Sequence, residues 1–166
     1  MGLDPGTVTT GYGIVDRPPS RLVHVDNGLA VAERRIALPE RLRILHAELD
    51  RLFEEHRPDV VAVEDVFFNK NVQSALTLGH ARGIALLVAA QHHVALVHYS
   101  PALVKKTVTG RGQADKFQIQ MMVKTLLGLP EPPAEDAADA LALAICHCHH
   151  ETETTIRDRI AARQGP

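Results

Sequence analysis

Four acidic residues stand where local patterns end one element and start another, and their type and placement limit the chemistry open to this chain. Asp4 follows the short run Met1-Gly2-Leu3 and precedes the turn-rich Pro5-Gly6-Thr7. A glycine in that turn lets the backbone come close to a phosphate or a metal ion. Glu64 closes the apolar run Val60-Val61-Ala62-Val63, at the carboxyl end of a strand, the edge where ligands gather in sheets crossed by helices. Asp136 and Asp139 are spaced i, i+3 in the first turn of an alanine-rich helix, so they share a face, and the positive helix end favours their ionised forms. Taken singly, each acid has an ordinary reading as a turn former, a solvent-facing strand end or a complement to the helix dipole. Taken together, four carboxylates gathered by one sheet repel one another and call for bound cations. Hard oxygen donors suit Mg²⁺ or Mn²⁺, and two such ions can activate a water and stabilise the leaving oxygen of a phosphodiester.

Cations accompany these acids. Residues 66–126 hold Lys70, Arg82, Lys105, Lys106, Arg111, Lys116 and Lys124 against a single acid, Asp115, a local net of +6 in a chain whose net charge is −2. Such segregation makes a positive face on a nearly neutral protein, although uneven solvated charge is the plainer reading. Lys105, Lys106, Arg111 and Lys116 follow the fifth strand or open the next helix, where phosphate contacts would set affinity and its salt dependence. Phe67-Phe68 is unusual in a polar loop of a chain with 4% aromatics. One ring could stack on an unpaired base, or both could pack in the core. Cys146-His147-Cys148-His149-His150 lacks a second ligand cluster at finger-like spacing, so a histidine-rich helix end is a better reading than zinc.

The elements that must position these residues follow from periodicity. A strand, a turn and a second strand fit residues 1–16 as a hairpin, and a third strand falls at residues 22–25 or 28–31. From Pro39, apolar residues at Leu42, Ile44, Leu45, Leu49, Leu52 and Phe53 predict an amphipathic helix ending near His56 and stopped by Pro58. Strands are expected at residues 59–64 and 94–99, the latter closed by Ser100-Pro101. The strand–helix–strand order favours a crossover and a mixed sheet. Residues 66–73 read as a loop or frayed helix start, with Ser74 capping a helix to about Gln91. That helix carries Leu76, Leu78, Ile84, Leu86, Leu87 and Val88, more apolar surface than one face needs, so it is either a buried core helix or part of a symmetric dimer interface. Residues 109–113 read as a flexible loop. Asp115 and Lys116 open a helix carrying Phe117, Ile119 and Met122 and stopped by Gly128, and a last helix runs from Glu135 to about Cys148.

With 166 residues, 45% of them apolar, one compact domain over residues 1–150 and a polar tail over 151–166 are expected. The longest apolar stretch, residues 83–90, is far short of the roughly 20 residues that cross a bilayer, so no membrane partner is expected. With only two cysteines, both near the end, and no signal-peptide pattern, a reduced, cytoplasmic protein is the expectation.

A set of motifs, in order from residue 2 to about residue 149, resembles the RuvC family of bacterial Holliday-junction resolvases. It comprises Asp4-Pro5-Gly6-Thr7 with Thr10-Gly11-Tyr12-Gly13, Glu64 with Val66-Phe67 and Asn69-Lys70-Asn71, and Ser74-Ala75-Leu76 leading to Gly79-His80-Ala81-Arg82-Gly83. Lys105-Lys106-Thr107-Val108-Thr109-Gly110 and Asp136-Ala137-Ala138-Asp139-Ala140-Leu141-Ala142 complete it. The resemblance implies an α/β, ribonuclease H-like fold, a five-stranded mixed sheet flanked by helices on both faces. It also implies a homodimeric, Mg²⁺-dependent crossover junction endodeoxyribonuclease of homologous recombination and DNA repair. Such an enzyme resolves four-way DNA junctions by paired symmetrical nicks and leaves 5′-phosphate and 3′-hydroxyl ends. It carries over Asp4, Glu64, Asp136 and Asp139 as ligands of two Mg²⁺ ions, with Mn²⁺ able to substitute, and Lys116 as a catalytic cation. Phe67 is implied as the stacking ring, Lys70, Arg82, Lys105, Lys106, Arg111 and Lys116 as DNA contacts, and the RuvA–RuvB branch-migration complex as a partner. The family's first strand has more apolar residues ahead of its aspartate than the three that precede Asp4, a short anchor for a central strand. Two other readings share part of the pattern. An actin- or sugar-kinase-type nucleotide-binding enzyme also has an Asp-x-Gly-Thr loop but needs two such domains, and a ribonuclease H-like nuclease could act on RNA. A catalytically silent junction-binding module is disfavoured by the full set of acids.

Overall fold

Strand residues alternate between two layers, and residues 60–64 show how. In a computed structural model, which describes residues 1–65 and 72–163, Val61 and Val63 point into one apolar cluster and Ala62 into another. Five strands, β1 (Gly2–Asp4), β2 (Thr9–Asp16), β3 (Val23–Val31), β4 (Val60–Glu64) and β5 (Ala95–Tyr99), form a mixed sheet in the order β3-β2-β1-β4-β5. The β1–β2 and β2–β3 pairs are antiparallel, and β1–β4 and β4–β5 are parallel. This is the α/β, ribonuclease H-like architecture expected above.

Helices α1 (Leu38–His56) and α2 (Val72–Gln91) cover one face, closing a core of Leu3, Leu52, Phe53, Val61, Val63, Ala85 and Val88. Helices α3 (Pro101–Thr109), α4 (Lys116–Leu127) and α5 (Glu135–Arg163) cover the other, around Ala62, Val104, Ile119, Val123, Leu141 and Ile145. Helix α4 begins as its sequence predicts. The Asp115 carboxylate accepts from the Gln118 N–H at 2.8 Å, the Gln118 side chain accepts from the Asp115 N–H at 3.1 Å, and Gly128 ends the helix in the left-handed region.

Several expectations need correction. The two candidate segments for the third strand are one strand, β3, which a bulge opposite Ile14 and Val15 lets continue along β2. Ser100-Pro101 does more than close β5: the Ser100 side chain accepts from the Leu103 N–H and Pro101 stands in the first turn, so a further helix, α3, starts there. Helix α2 already begins at Val72, so Ser74 lies within it. Helix α5 runs on past Cys148 to Arg163. Phe117 is 68% exposed and belongs to no core. The short β1 is anchored on both sides, by β2 at Gly2, Leu3 and Asp4 and by β4 at Gly2 and Leu3.

Helix α5 rests directly on β1 and β2. A Cβ on Gly2 would collide with the Ala140 carbonyl oxygen, and one on Gly11 with the Asp136 carbonyl oxygen. Both obstacles are backbone, which cannot swing aside as a side chain can. A Gly11→Ala change is therefore expected to cost about 1–3 kcal/mol or more, seen as a lower midpoint in denaturant titration. Gly79→Ala, where an added methyl meets nothing within 4 Å in a helix, is expected to be neutral or stabilising.

Candidate active site

Because β1 and β4 run parallel, Asp4 and Glu64 finish at the same edge of the sheet, with Leu3 beside Val63. Gly11 is the cross-strand partner of Asp4, and the Asp136 backbone sits over Gly11, which sets the first turn of α5 against the end of β1. The turn after Asp4 is closed by buried Thr10, whose hydroxyl accepts from the Gly6 N–H at 3.3 Å and donates to the Gly6 carbonyl at 3.0 Å. Helix α3 leaves the end of β5 and buries Val104 and Val108 one turn apart, which turns Lys105 toward the acids, while Lys116 is the first residue of α4. The result is a cleft of about 370 Å³ lined by Asp4, Glu64, Asp139, Lys105 and Lys116 over an apolar wall of Val104, Ile119 and Leu143.

The acids raise one another's proton affinity. Burial, then the charges of Asp139, Asp136 and Glu64, push the Asp4 carboxyl up to about 7, with Lys116 pulling the other way. Glu64 is raised by burial and by Asp139, against the pull of Lys105 and Arg82. Asp139 is raised by burial and by Glu135 and Asp136, against Lys116 and Lys105. Carboxylates that cannot all ionise comfortably form a site that gains from a divalent cation. Among the described residues, no three His, Cys, Asp or Glu side chains already stand together closely enough to hold an ion. The acids share a cleft without forming a closed ligand shell.

The sequence-predicted residues fall into distinct places. Asp4, Glu64, Asp139, Lys105 and Lys116 meet in the cleft, whereas Asp136 does not line it and acts on Asp4 and Asp139 through its charge. Lys106 and Arg111 are exposed, on α3 and on the loop after it. The Arg82 guanidinium donates to the Glu64 carbonyl and to the His98 ring. Phe67 and Lys70 lie outside the described residues. In the Cys146–His150 group, Cys146 hydrogen-bonds Thr107, His147 Nδ1 lies 2.8 Å from the Tyr99 hydroxyl, and His150 stacks on Tyr99. A cavity of about 390 Å³ opens at the opposite edge of the sheet, beside Arg17, His56 and Glu151, away from the acids. Sequence reasoning missed Glu135, which pairs with Lys116, and His98, which takes one end of Arg82. Glu135 precedes Asp136 in the same helical turn and was legible as a third acid there; His98 carries no local signal.

The family model described as crossover junction endodeoxyribonuclease RuvC matches residues 1–147. The chain belongs to the RuvC family. A RuvC relative from Alkaliphilus oremlandii is 50% identical over 143 residues, covering 86% of this chain and 87% of its own. One from Pelotomaculum thermopropionicum is 50% identical over 153 residues, covering 92% and 93%. Among solved structures, Thermus thermophilus RuvC in complex with Holliday junction substrate superposes with a TM-score of 0.86 at 31% identity, over 93% of this chain and 94% of that one.

The crowding of acids in this RuvC-family cleft has a consequence for stability. The Asp4 carboxyl takes a proton near pH 7 when folded and near pH 4 when unfolded, so across that window the folded state holds the extra proton and stability falls as pH rises. In chelator, Asp4→Asn is expected to gain about 1–3 kcal/mol relative to the parent between pH 4 and pH 8, measured by denaturant titration. A difference that stays constant over that range removes the burial and repulsion assigned to Asp4.

Proposed function

We propose that this chain is a homodimeric endonuclease that resolves four-way DNA junctions in homologous recombination and DNA repair, nicking two strands of like polarity at symmetrical positions. The observation that carries this reading is the meeting of Asp4, Glu64 and Asp139, from three separate elements, in one cleft that Lys105 and Lys116 also face. Membership of the RuvC family, and the likeness to a relative bound to a Holliday junction, supply the substrate.

The donor set is all carboxylate oxygen, which fits Mg²⁺, with Mn²⁺ as a substitute. Asp4, Glu64 and Asp139, with Asp136 as the fourth acid behind them, would hold two ions, which supply an activated water and a stabilised leaving oxygen and so give 5′-phosphate and 3′-hydroxyl ends. Lys116 faces the charge that develops on the transferring phosphate, and Lys105 holds the neighbouring backbone. Lys106 and Arg111 extend the phosphate path along α3 and its loop. Phe67, as a ring stacked on an unpaired base, and Lys70, as a phosphate contact, rest on the motif match.

Support for the dimer comes from α2. Val72, Leu76, Leu78, Leu86 and Leu87 are exposed on it, an apolar surface that a second copy would cover. The nuclease function resides in residues 1–150, with 151–166 as a polar extension. The reading includes cytoplasmic action with the RuvA–RuvB branch-migration complex. No helix among the described residues is long and apolar enough to cross a membrane.

A strand-resolved assay on a synthetic four-way junction tests the reading, with paired nicks expected in Mg²⁺ and none in chelator. Cleavage of hybrid duplex or structured RNA instead would overturn it. Asp4→Asn or Asp139→Asn is expected to slow cutting by roughly 10³-fold while junction binding survives, the rate equivalent of several kcal/mol of lost charge stabilisation. Lys116→Ala is expected to slow cutting of bound junction by about 10–100-fold, more than it weakens binding, and equal losses would make it a phosphate tether. The double variant Leu86→Glu/Leu87→Glu is expected to sediment as a monomer and to lose the coupling between the two nicks.

A further inference from the structure

Arg82 is the cation of the set whose guanidinium is taken up by the protein beside the acids. It stands on α2, yet its two Nη atoms reach the carboxyl ends of two neighbouring strands. One donates to the backbone carbonyl of Glu64, the last residue of β4, and the other to Nδ1 of His98 in β5. These strands are already in register there, with Val63 beside His98 and Glu64 beside Tyr99, and the Asp65 N–H donates to the Tyr99 carbonyl at 2.8 Å. Among the described residues, the pairing of β4 with β5 runs as far as that bond. A carboxylate carried on the last residue of a strand is prone to fraying, because few further bonds hold its backbone. The planar guanidinium bridges that end to the next strand and fastens both to α2, with two bonds held in a fixed fork.

We propose that Arg82 is a positioning residue for Glu64, tying its carbonyl to the His98 ring and so setting where the Glu64 carboxylate stands in the cleft. This rests on the junction-cleaving reading above and deepens it. A phosphate tether would turn its fork to DNA, whereas here each Nη donates to a strand terminus. The Arg82 charge also faces Glu64, opposite in sign to the charge of Asp139. A lysine keeps that charge but loses the fork.

The test uses the full chain, four-way junction DNA and Mg²⁺. It reads the single-turnover rate with enzyme in excess, the Mg²⁺ midpoint, and the slope of log Kd against log salt. For Arg82→Ala, the bound junction is expected to be cut about 10–100-fold more slowly, since a misplacement of an ångström at a reacting centre costs that much. The Mg²⁺ midpoint is expected to rise while the salt slope stays at its parental value. Arg82→Lys recovers only part of the rate. His98→Ala changes a side chain that is 41% exposed and removes one anchor of the fork, so it gives a smaller loss in the same direction. A salt slope reduced by about one makes Arg82 a phosphate contact and overturns the proposal. Full recovery by Arg82→Lys, or parental rates in both Arg82→Ala and His98→Ala, also overturns it. If the parent leaves the junction whole in Mg²⁺, the functional reading falls and this inference with it; if the parent cuts and Arg82→Ala cuts equally well, the inference falls alone.

Discussion

Helix α5 lies backbone-close on β1 and β2 at Gly2 and Gly11, which present only hydrogens where any larger residue would meet helix backbone. The helix answers with small residues, Ala137, Ala138, Ala140 and Ala144, all buried. This seat decides how far Asp139 stands from Asp4. A side chain beneath Asp136 would lift the first turn of α5 off the sheet and open the cleft, leaving each acid an ordinary strand or helix terminus. The other helices of that face depend on the same seat: α3 and α4 pack against α5 and deliver Lys105 and Lys116. Shape complementarity at two glycines thus precedes the electrostatics.

The electrostatics run against folding. Burying Asp4 among other acids costs stability whenever it is ionised, and the fold accepts this at the one place where charge must meet a phosphodiester. The nearby cations offset part of the cost in different ways. Lys105 and Lys116 line the cleft itself, whereas Arg82 is bonded at its rim. Lys116 pairs with Glu135 through two side chains that are both well exposed to solvent. An exposed pair of that kind is worth only about 0–1 kcal/mol, so exchanging Glu135 for a phosphate costs little. Such a cation can answer charge that appears during reaction without being locked to a resting partner.

Much of this was legible in the sequence where a single local rule governed the outcome. Alternation and short apolar runs marked β4 and β5, three-and-four spacing marked α1, and Asp115 with Gln118 and Gly128 bracketed α4. The acids were legible because each stands at the end of a strand or in the first turn of a helix whose direction the pattern reveals. What escaped depended on competition between rules or on distant chain. Ser100-Pro101 ends a strand and caps a helix equally well, and α3 has only nine residues in which to show a period. Phe117 fits the apolar spacing of α4 but falls on the side turned to water, which periodicity cannot assign without the neighbours. Asp136 and Asp139 look equivalent three residues apart, yet only Asp139 lines the cleft. The clamp of Arg82 on Glu64 and His98 joins residues 18 and 16 positions away, with no repeat to announce it.

Helix α2 shows how one element can serve both layers of such a molecule. Its buried residues are small, Ala81, Ala85 and Ala89 with Val88, and Ile84 packs beside them, while the larger Leu76, Leu78, Leu86 and Leu87 are about half exposed. That reverses the usual amphipathic arrangement and lets the helix sit close to the sheet. Closeness is what Arg82 requires, because a side chain based on a more distant helix would not span to the ends of both β4 and β5. The same economy of volume leaves the leucines about half exposed, where each forgoes part of the roughly 1.5–3 kcal/mol that full burial gives. A helix built to hold Glu64 therefore presents an apolar surface by construction. If a second copy covers that surface, it meets a helix on which Leu78 and Leu86 stand one turn either side of Arg82, so the placement of each cleft is tied to the geometry of the pair.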